Sequence, residues 1–69
     1  MDATKFRKVI ERLELTQVRA GELVGRDMRT ARRWVAGGPP PEAAIIFQLL
    51  LDGKVTMDDV DAARKRASK

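Results

Sequence analysis

Arg29, Arg32 and Arg33 fall within one short stretch, with Arg19 and Arg26 just before it. A guanidinium presents its donors in a planar fork, which matches a phosphate or the O6 and N7 of guanine in the major groove of DNA. Arg29 and Arg33 are one helical turn apart, so on a helix they share a face and can reach successive base steps. A run of charge is by default a solvated helix face. What raises this run above that default is the set of elements that carry it, and what surrounds it in the chain.

Other chemistries are poorly served. There is no Cys and no His, which removes disulfides and the usual zinc ligands. The only Ser is Ser68 at the tail, and no nucleophile–base pair can be assembled. Gly37-Gly38 is not followed by the Lys-Ser/Thr of a phosphate loop. Asp58, Asp59 and Asp61 lack the glycine and final Glu of a calcium loop, and helix capping accounts for them better. The expectation is a chain that is not an enzyme, with no metal, no cofactor and no small-molecule substrate.

With 69 residues the chain is expected to form one domain with a small core. The net charge of +4 is unevenly placed. Residues 16–36 carry five arginines against Glu22 and Asp27, residues 37–63 carry Lys54 against five carboxylates, and Arg64, Lys65, Arg66 and Lys69 make the tail basic. A basic middle and a basic tail form the footprint of a polyanion binder. The start has no apolar stretch of the signal-peptide kind, and the longest apolar run, Pro39 to Leu51, is broken by Glu42 and Gln48 and too short to span a bilayer. No membrane role and a cytoplasmic location are expected.

Hydrophobic spacing predicts five short helices and no strand. Phe6, Val9, Ile10 and Leu13 make the stripe of a first helix over about 3–13, capped by Asp2 or Thr4. Thr16 caps a second over about 17–24, which Gly25 ends in the left-handed conformation. Asp27 caps a third, Met28 to Ala36, with Ala31, Trp34 and Val35 inward and Met28, Arg29, Arg32, Arg33 and Ala36 outward. Pro39-Pro40-Pro41 is a stiff connector, with Pro41 suited to the first helical position. The fourth helix, to Leu51, is apolar nearly all round, which predicts burial on most sides, either at the centre of the domain or between subunits. Thr56 and Asp59 form a capping-box pair for a fifth over about 57–66, whose Met57, Val60 and Ala62 or Ala63 should face inward.

Two short helices separated by Gly25-Arg26-Asp27 have the layout of a helix-turn-helix. Residues 15–37, LTQVRAGELVGRDMRTARRWVAG, resemble the phage repressor and Cro-type (Xre-like) family in Leu15, Gln17, Ala20, Gly21, Val24-Gly25, Thr30, Trp34 and Gly37. The resemblance implies an all-α, five-helix lambda-repressor-like domain that binds double-stranded DNA, as a homodimer on paired half-sites. Carried over residue by residue, it places Asp27, Met28, Arg29 and Arg33 at base edges, with Asp27 mainly a cap and Met28 suited to a thymine methyl. It places Thr16, Gln17, Arg19, Arg26, Thr30 and Arg32 at the DNA backbone.

The chain departs from the family pattern in several places. Arg19 stands where Glu is common, Arg26 where an apolar residue is common, Ala31 where a branched one is usual, and Val35 where Glu often follows the Trp. Ala20 with Ala31 implies either a closer helix approach or a thinner core. Three prolines replace basic residues after the third helix, and they have no N–H to offer a phosphate.

Two functions compete on these residues. The first is a sequence-specific DNA-binding regulator, repressor-like. The second is an antitoxin- or anti-repressor-like interaction module that reuses the fold through the fourth helix and Met57/Val60.

Overall fold

The structure, a computed structural model, describes residues 1–67. Over them the chain folds into five α-helices with no strand: α1 Ala3–Arg12, α2 Gln17–Leu23, α3 Met28–Gly37, α4 Pro41–Leu51 and α5 Met57–Ala67. No helix among the described residues is long and apolar enough to cross a membrane.

Local chemistry sets the helix ends. Asp2, Thr16 and Asp27 each accept a hydrogen bond from the backbone N–H three residues on, at 2.7, 3.0 and 2.9 Å. Thr56 and Asp59 make a reciprocal box: the Asp59 N–H donates to Thr56 Oγ1 at 3.1 Å and the Thr56 N–H donates to Asp59 Oδ2 at 3.0 Å. Pro41 opens α4 at its first position, where no N–H is needed. At the end of α2 the Arg26 N–H returns to the Gly21 carbonyl at 2.8 Å and the Gly25 N–H to Glu22 at 3.0 Å. Gly25 sits at φ 73°, the left-handed residue this closure requires. The same closure ends α1, with Leu15 donating to Ile10 at 2.8 Å, but the left-handed residue is Glu14 at φ 57°.

The core is an aromatic triad wrapped in aliphatics. Phe6 of α1, Trp34 of α3 and Phe47 of α4 meet edge to face, with centroids 5.1–6.2 Å apart. Phe6, Phe47, Leu23 and Val9 are the largest fully buried side chains, and each contributes about 1.5–3 kcal/mol of transfer free energy. The α2–α3 approach is tight: Ala20 and Ala31 have no exposed surface, and a Cβ built on Gly21 would lie 3.2 Å from the Ala31 Cβ. Of the two alternatives that small residues here allow, the structure takes close approach.

Within one copy of the chain helix α4 is not at the centre of the domain: Ala43, Phe47 and Leu50 face the core, while Ile45 is 60% and Leu49 37% exposed. A core this small has too little apolar surface to cover a helix all round. Helix α5 has no fully buried residue; Met57 and Val60 face inward as expected, half-buried against the core, while Ala62 and Ala63 are exposed. Val35 also faces inward, half-buried against the core. Helix bounds shift by one residue at most: α1 ends at Arg12, α2 at Leu23, α3 runs to Gly37 and α5 to Ala67.

Candidate nucleic-acid interface

The α2–turn–α3 segment presents nine of the ten selected side chains at an open or partly open surface, with no acidic partner from another helix. Asp27, Met28, Arg29, Arg32 and Arg33 are exposed on α3 and its cap, Thr16, Gln17 and Arg26 are exposed around α2, and Thr30 is half-buried. Burial of Ala31 and Trp34 fixes the rotation of α3, because the helical period then turns Arg29, Arg32 and Arg33 to solvent. Neither Arg29 nor Arg33 takes part in a salt bridge among the described residues. Their forks are therefore available to an outside acceptor.

Asp27 is engaged in its own helix. The Thr30 backbone N–H, helped by the Thr30 side chain and more weakly by the charges of Arg29 and Arg33, holds its carboxyl below the usual carboxylate range. This is the cap role; a base contact would use the remaining oxygen. Arg32 leans back toward Met28, its Nη2 3.9 Å from Sδ, so the side chain expected at a thymine methyl and one expected at a phosphate share a surface.

Arg19, the tenth, is placed differently. Its Nη2 donates to Asp61 Oδ2 of α5 at 2.6 Å, and Nη1 to Oδ1 at 3.5 Å. Hydrogen bonding to that carboxylate raises the Arg19 pKa above its ordinary value, and the Arg19 hydrogen bonds lower that of Asp61. A phosphate reaching Arg19 meets this competitor. Sequence reasoning had no access to it, since 42 positions separate the partners.

One further arginine escaped the sequence reading. Arg7 of α1 donates from Nη1 to the Val35 carbonyl at 2.6 Å. It ties α1 to the last turn of α3, where carbonyls lack helical partners and a cation is favoured. The sequence shows Arg7 only as one of several cations along α1, with nothing to single it out.

Compared with protein-family models, curated proteins and solved structures, the chain matches none.

Proposed function

We propose that the chain is a lambda-repressor-like helix-turn-helix protein that binds double-stranded DNA in a sequence-specific way and regulates transcription without catalysis. In this reading α3 enters the major groove, Arg29 and Arg33 read guanines, and the N-terminal region of α2 with Gln17 sits on a phosphate. The observation that carries it is the unengaged pair Arg29 and Arg33 on the outer face of a helix whose inner face is fixed by Ala31 and Trp34. The tight Gly25 closure supports it by setting α3 directly against α2. A homodimer on two half-sites and a cytoplasmic location go with this reading.

Selection from a random duplex library at two salt concentrations tests it. Enrichment of a palindrome with guanines in each half-site is the expected result. Salt-sensitive binding with no enriched sequence overturns the reading. The interaction-module function then takes its place, favoured by the exposed Ile45 and Leu49 beside an apolar groove.

A further inference from the structure

Asp61 sits between two arginines and divides its two oxygens between them. Oδ2 takes the short bond from Arg19 Nη2 at 2.6 Å. Oδ1 is contested: Arg19 Nη1 and Arg64 Nη2 each reach it only at 3.5 Å. Arg64 is the poorly served claimant. Its Nε is buried with no hydrogen-bond partner, and its stem lies over Gly25, with Cδ 3.6 Å from where a Cβ would stand. A buried N–H left unpaired on a cation is costly. Because the atom is enclosed by the chain's own fold, its acceptor has to come from within. Asp61 is the carboxylate beside it, three positions back on the same helix, so the two can pair by side-chain rotation alone. A guanidinium can meet a carboxylate side-on, Nε and Nη2 donating two parallel bonds.

Arg19 has a second claimant of its own. On the DNA-binding reading above it faces a phosphate, which competes with Asp61 for the same donors. Withdrawing Arg19 strands a carboxylate whose side chain is 23% exposed, and a partly buried charge that loses its partner is destabilising. Arg64 can supply the replacement, and its own orphaned N–H is satisfied in the same step.

We infer that Asp61 is an exchange point: when a DNA phosphate takes Arg19, the Asp61 carboxylate turns to Arg64 and accepts from Nε and Nη2 together. Arg64 is then a positioning residue for DNA binding. It acts through Asp61, by offsetting the cost of releasing Arg19. The inference rests on the DNA-binding reading, and its test separates the two.

The Nε–H resonance of Arg64 in a nitrogen-15 NMR spectrum reports the exchange. Without DNA, Arg19→Gln removes the competitor. The Arg64 Hε proton is then expected to move downfield and to exchange with water about tenfold more slowly, as for a new bond to a charged group. In the wild type, which needs no substitution, a short mixed-sequence duplex is expected to move the same resonance the same way. Affinity for that duplex gives the second readout. Arg64→Lys keeps the charge and the stem but has no Nε, and is expected to weaken binding about threefold to tenfold. In an Asp61→Asn background it should have no effect, since no carboxylate is left to pair again. A merely structural role for Arg64 gives the same loss in both backgrounds, and that result overturns the inference. So does an Arg64 Hε that stays in place in Arg19→Gln or in the duplex-bound wild type. A chain that binds no duplex sinks the DNA-binding reading instead, and the exchange between the arginines then stands or falls by the Arg19→Gln spectrum.

Discussion

Arg19 and Asp61, on α2 and α5, lie 2.6 Å apart and make the shorter of the two salt bridges among the described residues. Since α5 buries no side chain, this pair and the half-buried Met57 and Val60 hold the helix in place. Asp61→Asn is expected to raise amide exchange over 57–67 and leave α1, α3 and α4 unchanged. Acid should act the same way. Hydrogen bonds from Arg19 depress the folded-state pKa of Asp61, so its contribution is fully present above the unfolded-state value, about 4. It is lost as pH falls through the lower folded value. Hydrogen exchange that shows α5 no looser at pH 2 than at pH 7, relative to the core helices, contradicts this.

Glu14 holds a left-handed φ of 57° at the end of α1. That conformation costs an L-residue about 1–2 kcal/mol, and glycine escapes the cost but loses about 0.5–1 kcal/mol to unfolded-chain entropy. The difference favours Glu14→Gly by about 0.5–1 kcal/mol, or about 4 °C in Tm for a chain of this size. Thermal unfolding followed by circular dichroism measures it. A lower Tm for the variant means that Glu14 makes a compensating contact.

Gly21 poses the opposite case. Alanine is the better helix former by about 1 kcal/mol, but a Cβ here would stand 3.1 Å from the Asp27 carbonyl oxygen, 3.2 Å from that of Arg26 and 3.2 Å from the Ala31 Cβ. Two of these neighbours are backbone, in the turn that sets α3 against α2, and cannot swing aside. Overpacking of this kind costs about 1–3 kcal/mol, so Gly21→Ala is expected to destabilise on balance. Denaturant unfolding that finds it neutral or stabilised means that α2 and α3 sit further apart than described.

The parts of this architecture that the sequence reveals are those set by neighbours in the chain. Asp2, Thr16, Asp27 and Thr56 each bond to a residue three positions on, so type and spacing suffice to place them. The outward turn of Arg29 and Arg33 follows from one period once Trp34 is taken as core. Glu14 is hidden because the rule that marks Gly25 looks for glycine. The open face of α4 is hidden because an all-apolar helix carries no mark of which side its neighbours will leave bare. Arg19–Asp61 and Arg7–Val35 are hidden for a third reason: each joins residues far apart in the chain, and many other cations and acceptors would have matched as well.

The proposed interface makes a prediction that separates reading from positioning. Arg29→Ala and Arg33→Ala are each expected to cost about 1–3 kcal/mol on the best duplex and to relax the preference at one base position. Arg32→Ala should weaken all duplexes alike and lower the salt slope by about one. Arg19 is the discriminating case, because Asp61 already holds it. If it reaches a phosphate, Arg19→Ala lowers the slope and Asp61→Asn steepens it, as the arginine is released to the DNA. If Arg19 serves only α5, neither substitution changes the slope, while both loosen α5 in hydrogen exchange. Affinities measured across a salt series for the wild type and these variants decide between the two roles.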